Sequence, residues 1–161
     1  MSEVEKATGV TSHSKGPAMQ ETAYGLRIIV QTDYQTAIER ATASLKAEGF
    51  GVLTTIDVRE TLRAKLNREF RKYVILGACN PSLADRALQA ELEIGLLLPC
   101  NVVVYENGPT ETVVAAMAPL AALGVVGENP ALHAVAVDAD ARLRRALHSI
   151  ETQVPVTVTN A

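Results

Sequence analysis

Hydrophobic positions along the chain alternate between the spacing of strands and the spacing of helices. Tyr24–Gln31 has strand composition, apolar residues then recur at helical spacing from Tyr34 to Leu45, and Phe50–Asp57 alternates with a period of two. Tyr73–Cys79 is apolar at nearly every position, which is typical of a strand covered on both faces. The first half of the chain therefore predicts three strands with helices between them.

Helix starts are marked by residues that satisfy free backbone N–H groups. Asp57 is placed to cap a short helix, and Thr32 or Asp33 to cap the preceding one, which Gly49 would end. The pairs Asn80-Pro81 and Asn129-Pro130 each predict a further helix, because Asn accepts from a free N–H and Pro lacks that N–H while its φ is already helical. The last helix is predicted to bury Leu132, Val135, Ala139, Leu143, Ala146, Leu147 and Ile150.

A β-hairpin is predicted between these last two helices. Val102–Glu106 and Thr110–Ala116 have strand composition, and Asn107-Gly108 between them is a turn signal. The apolar stretch Val113–Gly127 is shorter than the roughly 20 residues of a membrane span. We therefore expect strand and loop there, and no membrane association.

The order of elements is strand, helix, strand, helix, strand, helix, strand, strand, helix. It predicts an α+β two-layer sandwich: a mixed sheet ending in a β-hairpin, with helices packed on one face. Residues 1–23 are predicted to be a mobile tail, 24–151 a single domain and 152–161 a C-terminal tail. The Val/Thr alternation of Gln153–Ala161 leaves open whether it forms a short strand or a frayed end.

Composition bears on the binding partners and on the cellular compartment. A net charge of −3 and only two Phe and four Tyr, with no Trp, argue against nucleic acid. Cys79 and Cys100 are too few for a disulfide framework, and the N-terminal residues lack an apolar signal-peptide core, so a cytoplasmic protein is predicted.

Two Cys-Asn motifs carry a family resemblance. Leu76-Gly77-Ala78-Cys79-Asn80-Pro81 and Leu97-Leu98-Pro99-Cys100-Asn101-Val102, together with Gly49-Phe50-Gly51-Val52, resemble the bacterial and archaeal domain of unknown function 302 family. The resemblance covers roughly Tyr24 to Ala116. It implies a small α+β fold that pairs as a homodimer, and it implies no activity.

The same motifs supply the candidate binding pocket, formed by Cys79, Asn80, Ser82, Cys100 and Asn101. A helix N-terminus beside Cys79 would favour a thiolate and an anion held by Asn80 and Ser82. Alternatively, Cys79 is a small buried hydrophobe and Asn80 only a cap, with Asn101 capping or bridging loops.

Whether the cysteines meet depends on strand direction. A strand, a helix and a further strand in one sheet are normally parallel, which would place Cys79 and Cys100 at opposite ends. They meet only if Ile94–Pro99 carries the chain back to the same end.

No catalytic set, metal site or cofactor is predicted, since His13, His133 and His148 do not pair with each other or with the cysteines. The leading hypothesis is a homodimeric small-ligand binding or sensing module, in which a second subunit covers the apolar hairpin strand TVVAAM. The alternatives are a thiol-dependent redox or sulfur-handling protein that uses Cys79 and Cys100, and an accessory subunit docking through the last helix.

Overall fold

The computed structural model describes residues 18–153. Of the two predicted tails, residues 1–17 and 154–161 lie outside the described residues. Six strands and five α-helices are described, with one 3₁₀ segment at Leu92–Leu97. The strands are β1 (Gln20–Glu21), β2 (Gly25–Val30), β3 (Gly51–Asp57), β4 (Tyr73–Cys79), β5 (Cys100–Gly108) and β6 (Glu111–Met117). The helices are α1 (Tyr34–Ala47), α2 (Val58–Leu66), α3 (Pro81–Ala90), α4 (Pro119–Gly124) and α5 (Pro130–Thr152).

The strands form one sheet in the order β1-β2-β6-β5-β4-β3, and every neighbouring pair is antiparallel. The α+β class with helices on one face of the sheet is confirmed, but the sheet is antiparallel throughout rather than mixed. The difference arises between β4 and β5, where α3 and the 3₁₀ segment return the chain to the end of the sheet that it left. This return also decides where the two cysteines lie.

The predicted caps are confirmed. Asp33 accepts from the Thr36 N–H at 3.0 Å, Asp57 from the Glu60 N–H at 2.9 Å and Asn129 from the Leu132 N–H at 3.1 Å. Gly49, with a φ of 86°, ends α1 as expected.

The last helix packs on its own domain, because α5 contacts α1, α3, α4 and β2. All of its residues that were predicted to face inward are buried, among them Leu132, Leu143 and Ile150. Alternate residues of the sheet, such as Leu76 and Val104, complete this core.

The hairpin is confirmed, with its turn shifted by two residues. Pro109 and Thr110 form the turn, while Asn107 and Gly108 belong to β5 beside an irregularity in the ladder. Its returning strand β6 lies inside the sheet, between β2 and β5. The premise that TVVAAM is an uncovered strand is therefore wrong, since β2 occupies its free side.

Three short elements were not predicted. Gln20–Glu21, placed in the mobile tail by sequence, pairs with β2 and contacts α5 through an ion pair between Glu21 and Arg144. Helix α4 begins after Ala118 without a side-chain cap, and the 3₁₀ segment precedes β5. Neither helical segment has the Asn-Pro pair that marked α3 and α5, although Glu91 caps the 3₁₀ segment and Pro119 begins α4.

We call the face of the sheet opposite the core the open face. It carries the strand positions that alternate with the core residues, namely Arg27, Ile29, Tyr73, Ile75, Val103, Tyr105, Val113 and Ala115. Val113 is buried there, apart from the core. A mainly apolar face is unusual for the solvent side of an antiparallel sheet, so this face invites a functional explanation.

Candidate functional site

Asn80 is a structural joint between two helices. Its side chain accepts from the Leu83 N–H at 3.2 Å, which caps α3, and it is only 9% exposed. Its Nδ2 atom would lie 2.8 Å from a Cβ at Gly49, where φ is also positive, so the Asn80 amide packs closely against the end of α1. The helix cap predicted from the sequence is confirmed, and the Asn80 side-chain amide is held in place by its packing against Gly49.

Cys79 and Cys100 lie at the same end of the sheet. Because β4 and β5 are antiparallel, Cys100 is opposite Ala78, the neighbour of Cys79. The expectation that the two strands are parallel is wrong. The segment that includes Ile94–Pro99 returns the chain to the same end of the sheet, which is the alternative that the sequence left open. Both thiols are free and both line one cavity.

This cysteine cavity is small and apolar. Its volume is about 30 Å³, and its walls include Phe50, Leu83, Leu98 and Val135. Such a space suits one or two water molecules, whereas pockets for organic ligands are typically about 300–1,000 Å³.

The five candidate pocket residues do not all meet in it. Cys79, Asn80 and Cys100 line the cysteine cavity. Ser82 and Asn101 are exposed and lie outside its walls. A shared hollow therefore exists for three of the residues, without room for a metabolite.

Neither thiol has the environment of a nucleophile. Burial raises the pKa of Cys79, and burial, aided by the neighbouring Cys79 charge, raises that of Cys100 to about 11. The sequence suggested that the N-terminus of α3 would lower the pKa of Cys79. The apolar walls dominate instead, and both thiols carry a proton at neutral pH.

A much larger depression lies across the open face. We call it the trough; its volume is about 510 Å³. Thr22, Tyr24 and Gly25 border it on the β1–β2 side, Phe70, Arg71 and Tyr73 on the β4 side, and Arg27, Val103, Tyr105 and Ala115 form its floor. This volume is in the range of small-molecule sites.

Aromatic side chains give the trough its shape. The rings of Tyr73 and Tyr105, opposite each other on β4 and β5, stack with centroids 5.4 Å apart and an interplanar angle of 5°. Phe70 lies 6.1 Å from Tyr73 at a tilt of 55°. The Arg71 guanidinium carbon lies 5.8 Å from the Tyr105 ring centroid, in reach of a cation–π contact.

Arg27 is the unsatisfied group of the floor. Its Nε is buried and has no hydrogen-bond partner, and within residues 18–153 no carboxylate lies in ion-pair range of it. Glu111 already accepts from Gln31 at 3.0 Å and from Asn107. Hydrogen bonds from Gln31 and Asn107, and more weakly the charge of Arg27, lower the pKa of Glu111. Because no ion pair joins the two residues and the Arg27 Nε is unsatisfied, this guanidinium on an apolar floor is well placed to bind an anion.

Sequence reasoning missed the trough, although a signal was present. Four of the six aromatic residues of the chain line it: Tyr24, Phe70, Tyr73 and Tyr105. The small number of aromatics argued against stacking surfaces, but their concentration at one place depends on strand register. A count cannot show this.

Neither a metal-binding cluster nor a membrane-spanning helix occurs in the described part of the chain. Among residues 18–153, no group of three or more His, Cys, Asp or Glu side chains is arranged to hold a metal ion. Within the same residues, none of the helices has the length and apolar character to cross a membrane.

These features define an α+β domain with an antiparallel sheet, a helical layer on one face and an aromatic trough on the other. The sequence profile described as "Domain of unknown function DUF302" matches residues 26–150, so the chain belongs to this family. A crystal structure of an uncharacterized conserved protein DUF302 from Bacillus stearothermophilus is similar, at 39% identity and a TM-score of 0.72, covering 78% of this chain and 97% of that one. No curated protein matches.

Proposed function

We propose that the protein is a non-catalytic module that binds a small organic ligand in the trough. The observation that carries the proposal is the unpartnered Arg27 Nε on the floor of a depression of about 510 Å³. Its volume and its mixture of aromatic walls with a few polar groups are those of small-molecule sites. The cysteine cavity, which the sequence favoured, is too small for this role.

Binding is favoured over catalysis by the chemistry of the lining. The residues around the trough include no Asp, Glu, His, Cys or Ser. The trough's two charged side chains, Arg27 and Arg71, offer hydrogen-bond donors and no acceptor. Burial raises the pKa of Tyr73, so its phenol keeps its proton at neutral pH. The lining can hold and orient a ligand, and it supplies no proton acceptor for a reaction.

A neutral fluorescent probe tests this proposal. N-phenyl-1-naphthylamine should bind saturably, with one site per chain, and gain fluorescence. Ala115→Leu, on the floor of the trough, should weaken this binding at least about tenfold, a loss of roughly 1.4 kcal/mol. Tyr24→Ala, on an exposed wall, should weaken it without endangering the fold.

The matched control is Ala134→Leu, which adds the same atoms at an exposed position of α5. It should leave probe binding unchanged. The proposal fails if the wild-type protein shows no saturable fluorescence gain, or if Ala115→Leu and Tyr24→Ala bind the probe as the control does.

We also propose that the chain pairs as a homodimer through the outer edge of β3. Among residues 18–153, this strand bonds to β4 alone, and six of its seven residues are exposed, including Leu53 at 68% and Ile56 at 48%. An open edge is a template for another strand, and two copies of β3 across a twofold axis would satisfy each other. The family resemblance implied a homodimer but did not indicate which surface forms it.

Lysine substitutions on this edge test the dimer. Ile56→Lys should shift the protein to monomer in sedimentation velocity at tens of micromolar, because charged edges resist pairing. Leu66→Lys, at a similarly exposed position on α2, should leave the dimer intact. A wild-type protein that is monomeric under these conditions would exclude the pairing.

The thiol-dependent alternative receives one supporting observation, the meeting of Cys79 and Cys100 at one cavity. Their raised pKa values oppose it, since neither forms a thiolate at neutral pH. The apparent pKa of iodoacetamide labelling at Cys79 should therefore lie above the ordinary value of about 8.5. A value below this would restore the alternative. A cytoplasmic location remains a prediction from the sequence.

A further inference from the structure

We infer that the ligand of the trough is a planar aromatic anion whose carboxylate binds Arg27 and whose ring packs against the Tyr73–Tyr105 stack. The inference rests on the proposed function and names the chemical class of its ligand. Three features of the trough support it: the sign of its charge, the geometry of its rings and the distance between the two.

The charge of the lining selects an anion. Arg27 and Arg71 are the ionisable residues around the trough other than its tyrosines, and none of the lining residues is acidic. Arg71 donates weakly to the Glu106 carbonyl at 3.4 Å, while the Arg27 Nε is buried with no acceptor. Arg27 as a whole is partly exposed and lines the trough, so a carboxylate there would supply an acceptor to the guanidinium, which binds carboxylate through two parallel hydrogen bonds.

The rings select a flat partner. Tyr73 and Tyr105 are nearly parallel, and Phe70 closes one side at a tilt. Aromatic rings prefer offset-stacked or tilted neighbours at centroid separations of about 4.5–7 Å. A planar ring extends this arrangement, whereas a saturated ring of equal size cannot stack.

The spacing sets the size. Arg27 is opposite Ala115 on the adjacent strand β6, and Ala115 is opposite Val103 on β5, the second strand away. Tyr105 lies two residues further along β5. Standard strand spacings give a separation of about 12 Å between the Arg27 and Tyr105 Cα atoms. Since both side chains extend over the same face, the space between them suits one or two fused rings with a carboxylate.

Displacement of N-phenyl-1-naphthylamine by three matched compounds tests the class. 2-Naphthoate should displace the probe at a concentration at least about tenfold lower than 2-naphthamide, which lacks the charge, or decahydronaphthalene-2-carboxylate, which lacks the aromatic ring. Arg27→Gln should abolish the advantage of naphthoate over naphthamide. Arg86→Gln, which removes the same charge from α3 on the helical layer, should leave it unchanged.

The outcomes separate this inference from the proposed function. If the probe binds in the trough but naphthoate and naphthamide compete equally, the anion assignment is overturned and the binding role stands. If the decahydro acid competes as well as naphthoate, the aromatic assignment is overturned. If both Arg27→Gln and Arg86→Gln remove the preference for naphthoate over naphthamide, the preference depends on the net charge of the protein and not on Arg27. This result would also overturn the inference.

Discussion

The cysteine cavity and the trough lie on opposite sides of one sheet and are built by opposite rules. The cavity, at about 30 Å³, is lined mainly by apolar side chains, and the side-chain oxygen of its one amide, that of Asn80, already accepts a hydrogen bond. The trough, at about 510 Å³, is open and contains an arginine whose buried Nε has no hydrogen-bond partner among residues 18–153. Small apolar cavities whose polar groups are already hydrogen-bonded belong to the packing that stabilises the fold. A large open depression that contains an unsatisfied polar group indicates a binding site.

This contrast shows how the Cys-Asn motifs are best understood. They mark the place where β4, α3 and β5 meet, and the residues there are constrained by packing. The trough depends instead on side chains at ordinary strand positions, where other side chains would leave the fold intact. Substitutions near the motifs should therefore cost stability, and substitutions in the trough should cost binding.

A large loss of stability is expected from a substitution at Gly77, which lies in β4 between Thr54 and Pro99. An added Cβ would lie 2.1 Å from the Thr54 Oγ1 and 2.9 Å from the Pro99 Cγ. Gly77→Ala should lower the free energy of unfolding by about 1–3 kcal/mol, as overpacked sites do, measured by urea denaturation. The double variant Gly77→Ala/Thr54→Ala should recover part of the loss, and additive losses would contradict the proposed clash.

A loss of similar size is expected at high pH, from Cys100. Its folded-state pKa of about 11 exceeds the ordinary thiol value of about 8.5, so the folded state holds this proton more tightly than the unfolded chain. The resulting stability is complete below the unfolded pKa and is lost as pH rises toward 11. The loss should be about 2–3 kcal/mol.

Urea denaturation from pH 8 to pH 11 measures it. Cys100→Ala should remove this part of the pH dependence, and Cys79→Ala should keep the part due to Cys100. The tyrosines and lysines titrate in all three proteins, so their contributions cancel in the comparison. Equal pH dependence in the wild-type protein and Cys100→Ala would show that Cys100 is not held protonated by burial.

The sequence predicted those features that have a local cause. Asp33, Asp57, Asn80 and Asn129 each bond to an N–H three residues away, so the cap is encoded within one turn. The α5 residues repeat at helical spacing and are buried as predicted. Helix α4 has no such signal, because Ala118 makes no side-chain bond at its start.

Features with distant causes could not be predicted in the same way. The direction of β5 depends on the path of the 3₁₀ segment, and this direction decides that Cys79 and Cys100 meet. The stack of Tyr73 on Tyr105 depends on the same antiparallel register. One reversal of the chain, which the sequence offered only as the alternative to parallel strands, thus underlies both the cysteine cavity and the tyrosine stack of the trough.

A moderate effect is expected from the Asn80 cap. Asn80→Ala should lower the free energy of unfolding by about 1 kcal/mol, because it leaves the Leu83 N–H without its acceptor. Ser82→Ala, at an exposed position two residues further along, should change it by less than about 0.5 kcal/mol. Thermal denaturation of both variants measures the difference. Equal losses would mean that Ser82 shares in the joint.

The smallest effect on stability is expected where the effect on binding is largest, at Arg27. Because its Nε has no partner, Arg27→Gln removes no hydrogen bond at that atom and keeps most of the apolar stem. The free energy of unfolding should change by less than about 0.5 kcal/mol. Arg144→Gln is the contrasting control, since Arg144 binds Asp140 at 2.6 Å, and it should lose about 1–2 kcal/mol by leaving that buried carboxylate unpaired. A comparable loss at Arg27 would make it a structural residue, and the distinction between a packed side and a binding side of the sheet would no longer hold.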